Sequence, residues 1–199
     1  MRKGPRLTKF AAIFIAVVES LLLIADGQLL SPANSSAKVS DSVLPRKVVV
    51  PISTVNCFFP EVTREVSTER NLTAVATAKA TRSVIYANSD SSKKVTITVD
   101  QYPTASDASS AYQEAVAKSK TVPGFKPVPA ENLGRNAFIG TVTQGGETHI
   151  GLGAVHGTLI VGVTLAGYDP TPDKIANLIS LTREEENAAK AGLDAIPKK

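Results

Sequence analysis

The chain has 199 residues, of which 43% are hydrophobic and 5% aromatic, with no tryptophan, one cysteine and a net charge of +4. This length suits one ordinary domain plus a leader. Sparse aromatic rings argue against a site that stacks sugars or nucleobases, and one cysteine excludes an intramolecular disulfide. The first 30 residues hold four basic and two acidic side chains, half of the net charge, so the charge does not indicate nucleic-acid binding.

The first 30 residues have the order of a secretory signal. Met1–Lys9 is basic, Phe10–Leu30 is mostly apolar, and small and polar residues follow. The apolar run is also close to the ~20 residues of a membrane-spanning helix, although Glu19 lies within it. We therefore predict export, with residues 1–30 acting as a cleaved signal peptide or as an uncleaved signal anchor. No cysteine directly follows the run, so a lipoprotein anchor is not expected.

The next segment separates the leader from the folded part of the chain. Residues 31–46 are rich in Ser, Ala, Asn and Pro, which predicts a flexible linker. Residues 47–199 are then expected to form one α+β domain. At its start, Lys47–Ile52 is predicted as an edge strand, because Pro51 interrupts a short apolar run.

Cys57–Arg70 is predicted to hold a short helix. Pro60 suits a first helical turn, and an apolar stripe recurs at four-residue spacing in Phe58, Val62 and Val66. Cys57 would then lie just before the helix. There it would be either a thiolate stabilised by the helix N-terminus or a small buried hydrophobe.

Two strands and a turn follow. Arg82–Ala87 and Lys94–Gln101 are predicted as strands joined by the turn Asn88–Ser91. In the second strand apolar and polar residues alternate, which predicts one buried and one wet face.

Two helices are predicted further along the chain. Pro103–Lys120 has Thr104 or Ser106 as its N-cap, and its stripe of Ala108, Ala111, Tyr112 and Ala115 is small enough to lie close to a sheet. Thr171–Ala191 has a capping threonine followed by proline, and Gly192 is predicted to end it.

Between these helices lies Asn136–Ala166, which reads as three strands joined by two tight turns. The turns are Gln144-Gly145-Gly146 and His156-Gly157, where glycine supplies the backbone conformation that short hairpin loops need. The order of elements predicts an α+β fold. We expect a mainly antiparallel sheet of about five strands, built from a hairpin, a helix, a three-stranded meander and a C-terminal helix.

Alternation along the meander gives its sheet two different faces. One face is bulky, and the other is small and rich in glycine. The small face carries the candidate ligand-binding residues His149, Gly151, Gly153, Ile160, Gly162 and Thr164. It would either bind a ligand closely or receive the alanine-rich helix.

The sequence gives no support for catalysis, a metal or a cofactor. Two histidines and one cysteine do not make a conventional zinc site, and no Gly-x-Ser-x-Gly elbow is present. Gly151–Gly157 is rich in glycine, but it is predicted to run from strand to strand, whereas a dinucleotide loop must open a helix. The acidic cluster Glu184–Glu186 is predicted to be a solvated face. We therefore expect a non-enzymatic protein.

Three strings carry a resemblance to a known group: Cys57–Thr63 (CFFPEVT), Tyr86–Asp90 (YANSD) and Val95–Tyr102 (VTITVDQY). Over about Val48–Ala191 the chain resembles the small exported lipoproteins of mycobacterial type and the extracytoplasmic sensor domains of receptor Ser/Thr kinases. The resemblance implies an α+β sheet with helices and an envelope location.

The resemblance also implies a function in binding. The expected function is that of a non-catalytic binding or sensor-like module of the cell envelope. Its partner would be a small apolar ligand or an envelope protein, not nucleic acid, and membrane contact would occur only through the N-terminal segment. The alternatives are a structural or assembly partner without a small ligand and, behind it, an enzyme of unknown type.

Overall fold

The computed structural model describes residues 43–66, 78–129, 133, 136–144 and 146–195. In these ranges seven strands form one antiparallel sheet in the order β1-β2-β3-β7-β6-β5-β4. The strands are β1 (Arg64–Val66), β2 (Ala80–Ala87), β3 (Lys94–Gln101), β4 (Phe125–Pro127), β5 (Ala137–Gln144), β6 (Glu147–His156) and β7 (Leu159–Ala166). The helices are α1 (Ile52–Phe58), α2 (Ala105–Ser119) and α3 (Pro172–Asp194), with a 3-10 helix at Arg46–Val48.

The predicted α+β class is confirmed, and so is the succession of hairpin, helix, meander and C-terminal helix. The sheet has seven strands, not about five, because the three-residue strands β1 and β4 pair at its two edges. Such short strands leave little alternation in the sequence from which to predict them.

The meander turns at glycine. Gly146 and Gly157 have φ of 85° and 58°, which glycine adopts without steric cost. His156 pairs with Leu159 across the second turn. The loop is therefore Gly157-Thr158, one residue later than predicted.

The bulky face of the sheet packs against α3. The N-cap Thr171 accepts a hydrogen bond from the backbone of Lys174, and Pro172 opens the helix, as predicted. Leu178 and Leu181 are fully buried in one core, together with the bulky-face residues Leu159, Val161, Val163, Leu165, Ile150, Leu152 and Ala154.

The small face packs against α2. Thr104 is the N-cap and accepts from the backbone N–H of Asp107. Ala108 and Tyr112 bury their side chains in a second cluster that includes Ile160 of β7, and the Tyr112 hydroxyl donates to the carbonyl of Gly153 at 3.2 Å. The predicted approach of an alanine-rich helix to this face is therefore seen over β6 and β7.

The segment before β1 differs from its prediction. Lys47–Ile52 is not a strand, because Arg46–Val48 forms a 3-10 helix and Pro51 then becomes the N-cap of α1. Proline suits this position for two reasons. Its ring holds φ near the value that the start of a helix needs, and its missing N–H is not required for a hydrogen bond within the helix. The helix predicted at Cys57–Arg70 is also wrong, because α1 ends at Phe58.

Cys57 consequently lies in the last turn of α1, with its side chain exposed. Its thiol contacts the carbonyl of Ser53 at 3.3 Å. A helix C-terminus is the negative end of the dipole. Cys57 is therefore neither a thiolate at a helix N-terminus nor a buried hydrophobe.

The packed part of the chain includes residues that were predicted as linker. Val43 forms a parallel bridge with Thr81, and Leu44 is buried and donates its N–H to the Thr81 carbonyl. We call Val43–Val50 the strap. The rest of the predicted linker and the whole predicted leader lie outside the described residues.

The strap lies against the end of α3, and this contact explains Gly192. The helix does not end at Gly192 but continues to Asp194. A Cβ at Gly192 would lie 2.9 Å from both the carbonyl oxygen of Lys47 and the Cα of Val48. Glycine is therefore needed for close contact with the strap, not as a helix stop.

None of the helices in the described ranges has the length and apolar character that a membrane crossing requires.

Candidate functional site

A cavity of about 300 Å³ lies beside α3, where β5 begins and β6 ends. We call it the α3 pocket. Its apolar floor comes from Leu133, Ala137, Leu152, Ala154 and Ile179, and its polar rim consists of Asn136, His156, Thr182, Arg183 and Glu186. This volume is at the lower end of the ~300–1,000 Å³ typical of small-molecule sites.

The pocket forms where β5 and β6 carry small side chains on the face of the sheet that α3 covers. β4 pairs with β5 only from Gly140 to Val142, and the backbone pairing extends one step further through Val128 and Ile139. Ala137 lies beyond that pairing and is opposite Ala154 on β6. Because both side chains are small, they leave open the space that they line together with Ile179. Larger side chains at these two positions would fill it.

The rim combines opposite charges. Partial burial raises the pKa of the Glu186 carboxyl, and the nearby His156 and Arg183 act against that rise. His156 and Arg183 are exposed. The Thr182 hydroxyl is already used, since it donates to the Leu178 carbonyl at 2.8 Å.

The registers place the six predicted ligand-binding residues on one face of the sheet. Five of them line a narrow cleft of about 20 Å³ that Tyr112 and Ala115 of α2 also border. That volume holds about one water molecule. His149 does not line the cleft; it is buried, and burial lowers its pKa. Ligand binding on this face therefore stays a prediction.

A buried carboxyl borders the same cleft. Asp100 is 3% exposed and accepts a hydrogen bond from the Thr81 hydroxyl at 2.7 Å. Burial raises its pKa to about 6, which makes it a second titratable group of the interior.

Glu185 corrects the prediction that Glu184–Glu186 is a solvated face, because its side chain is 0% exposed. One carboxyl oxygen accepts from the backbone N–H of Val50 at 2.9 Å. Burial raises its pKa to about 8, although this hydrogen bond and the charge of Arg46 oppose the rise. Glu185 thus joins α3 to the strap.

Arg46 completes the attachment of the strap. Its guanidinium donates to the Glu65 carboxylate at 2.8 Å and to the Tyr86 hydroxyl at 2.6 Å. The Tyr86 hydroxyl in turn donates to the Val50 carbonyl at 2.5 Å. This network satisfies the hydroxyl of Tyr86 and the carbonyl of Val50, whereas the second carboxyl oxygen of Glu185 is buried and has no hydrogen-bond partner among the described residues.

Across the described ranges no group of three or more His, Cys, Asp or Glu side chains is arranged to hold a metal ion.

Sequence reasoning missed the α3 pocket because its residues are spread over about 50 positions and share no local motif. In the helix predicted at Thr171–Ala191, helical spacing places Ile179 on an apolar stripe with Ile175 and Leu178. The small residues Ala137 and Ala154 become neighbours only when β5 pairs with β6, and the cavity that they line with Ile179 exists only in the folded chain.

Comparison with known proteins places the fold. No family model and no curated protein sequence matches the chain. The extracellular domain of PknH from Mycobacterium tuberculosis matches with a TM-score of 0.51 and 14% identity, over 70% of this chain and 93% of that one. The resemblance predicted from the sequence is therefore confirmed at the level of the fold.

A second solved structure is LpqN, which is involved in cell envelope biogenesis of Mycobacterium tuberculosis. It matches over 51% of this chain and 65% of its own length, with 18% identity and a TM-score of 0.31. At that score the likeness supports no conclusion about this chain.

Proposed function

We propose that this protein is a non-catalytic binding or sensor-like module of the cell envelope and that its ligand occupies the α3 pocket. The observation that carries the proposal is the cavity of about 300 Å³, with its apolar floor and charged rim. The signal-like order of the first 30 residues supports an extracytoplasmic location. The fold that the chain shares with an extracellular domain agrees with that location.

The pocket has the composition that binding requires. An apolar floor supplies affinity by removing ligand surface from water, at about 0.8 kcal/mol per buried methylene. Polar groups at the mouth give orientation and specificity.

The second candidate is a structural or assembly partner of the envelope that binds no small ligand. The observation favouring it is the packing of α2 on the small face, which leaves only about 20 Å³ there. The two candidates differ in whether the α3 pocket is occupied.

A neutral apolar probe separates them. N-phenyl-1-naphthylamine becomes fluorescent when it leaves water, and we expect the full chain to bind it. Ala137→Leu should weaken binding at least tenfold, because the larger side chain fills the floor of the pocket. Thr143→Leu is the matched control, since Thr143 lies on the same strand and is exposed.

Equal probe binding by both variants, with unchanged melting temperatures, would show that the probe does not enter the α3 pocket. A wild-type chain that binds no probe would favour the assembly partner.

A further inference from the structure

We propose that the α3 pocket takes a single-chain amphiphile of about ten carbons with an uncharged, hydrogen-bonding head group. Arg183 and Glu186 act as the pair that disfavours charged head groups. This inference rests on the proposed function, since it names the ligand class of the same pocket.

The size of the cavity limits the apolar part of the ligand. A methylene group is about as large as a water molecule, whose share of liquid volume is ~30 Å³. A cavity of about 300 Å³ therefore holds on the order of ten methylene groups. Two acyl chains of that length would exceed this volume.

The floor favours a hydrocarbon chain over a polar ligand. Leu152 and Ala154 are 2% and 4% exposed, and Ala137 and Ile179 pack against the same core. A sugar or peptide placed there would lose hydrogen bonds to water that these side chains cannot replace. Polar groups of the ligand must therefore lie at the rim.

The charges of the rim select the head group. Arg183 and Glu186 both line the pocket and lie three residues apart on α3, where side chains of opposite charge are neighbours on the helix surface, so the two charges offset each other on the α3 side of the mouth. A carboxylate head would be attracted by Arg183 but repelled by Glu186, and an ammonium head would meet the reverse. A hydroxyl can donate to Glu186 and accept from Arg183, and an ester carbonyl can accept from Arg183, in neither case with a like-charge contact.

Asn136 adds further hydrogen-bonding capacity at the same rim. Its side-chain amide both donates and accepts, which again suits a hydroxylated head. Asn136, Arg183 and Glu186 together offer both hydrogen-bond donors and acceptors. A hydrocarbon without a head group would use none of them.

Calorimetry at pH 7.5 with the full-length protein tests the inference. The three probes share one chain length: 1-monodecanoylglycerol, decanoate and decylamine, each below its critical micelle concentration. We expect the glycerol ester to bind at least tenfold more tightly than either ion. In a series of monoacylglycerols, affinity should rise about fourfold per methylene up to about ten carbons and then level off.

Two variants make the test reciprocal. Glu186→Gln should strengthen decanoate binding about tenfold and weaken decylamine binding, because it removes only the negative charge. Arg183→Gln should do the opposite. Both residues are at least partly exposed, and melting temperatures check that each variant folds.

The outcomes are distinguishable. Equal binding of all three probes, or variants that shift all three alike, would overturn the head-group inference and leave the pocket as a binding site. If none of the three binds while N-phenyl-1-naphthylamine still does, the chain inference fails. If no probe binds at all, the proposed function fails with it.

Discussion

Glu185 shows how one residue connects two parts of the molecule. Its carboxyl is fully buried and holds the backbone N–H of Val50. The helical spacing of the sequence indicates this burial, because Glu185 follows Leu178 by seven residues and Thr182 by three. All three residues lie on the buried stripe of α3. The acidic neighbours Glu184 and Glu186 made the same position look solvated.

Glu185→Gln should flatten the dependence of stability on pH. The folded-state pKa of about 8 lies above the ordinary value, so the folded protein keeps a proton that the unfolded chain releases. Stability therefore falls as pH rises from about 4.5 to about 8, and the penalty is complete above that range. Glutamine keeps an acceptor for Val50 and cannot ionise, so the variant should gain on the order of 2–4 kcal/mol at pH 8.5.

Urea unfolding between pH 5 and 8.5 measures this effect. Glu184→Gln, an exposed neighbour, is the control and should leave the curve unchanged. Asp100 titrates in both proteins, so its contribution cancels in the difference. Curves for Glu185→Gln and wild type that stay parallel would show that Glu185 does not carry the pH dependence.

At the scale of elements, α3 contacts the strap and the pocket at once. Its residues Ile179, Arg183 and Glu186 line the pocket, while Glu185 and Gly192 contact the strap. The helix itself was predictable, because Thr171 and Pro172 begin it and its apolar stripe is regular. The end of the helix was not predictable from local sequence. Glycine is needed at position 192 because the strap, about 145 residues earlier in the chain, packs against it.

Gly192→Ala should destabilise the protein by about 1–3 kcal/mol, although alanine is the better helix former by about 1 kcal/mol. The added methyl group would meet backbone atoms of Lys47 and Val48, which cannot rotate away. Ala191→Gly, at the exposed neighbouring position, gives the propensity effect alone. A Gly192→Ala protein that gains what Ala191→Gly loses would contradict the strap contact.

The contact between α2 and the small face gives a second element-scale prediction. Gly162→Val adds bulk beside the cleft that Tyr112 and Ala115 border. We expect a loss of about 1–3 kcal/mol by overpacking, with unchanged binding in the α3 pocket. Unfolding measurements and the N-phenyl-1-naphthylamine assay report the two quantities separately.

Lost probe binding with unchanged stability would instead support the ligand site predicted from the sequence on His149, Gly151, Gly153, Ile160, Gly162 and Thr164. If neither stability nor binding changes, position 162 is not in a tight contact. The packing of α2 on the small face then does not require glycine at that position.

For the whole molecule, the two faces of the sheet differ in how completely helices cover them. Alternation along β6 and β7 predicted which residues share a face, because strand period depends only on local geometry. The structure adds what local patterns do not contain. The segment around Pro51 and Pro60 differs from its prediction because either proline is compatible with the start of a helix, and in the structure the helix follows Pro51.

The pocket is likewise a property of the assembled molecule. Ala137, Ala154 and Ile179 come from three elements, and none is unusual in its own segment. The proposed ligand site is therefore a cavity that only the folded chain creates.

Native mass spectrometry of the full chain purified from its own cell envelope shows directly whether the α3 pocket is occupied. We expect a one-to-one complex with a single-chain apolar molecule in the wild type and in Thr143→Leu, and its loss in Ala137→Leu. A wild-type protein that carries no ligand, or an Ala137→Leu protein that retains the same ligand, would contradict this expectation.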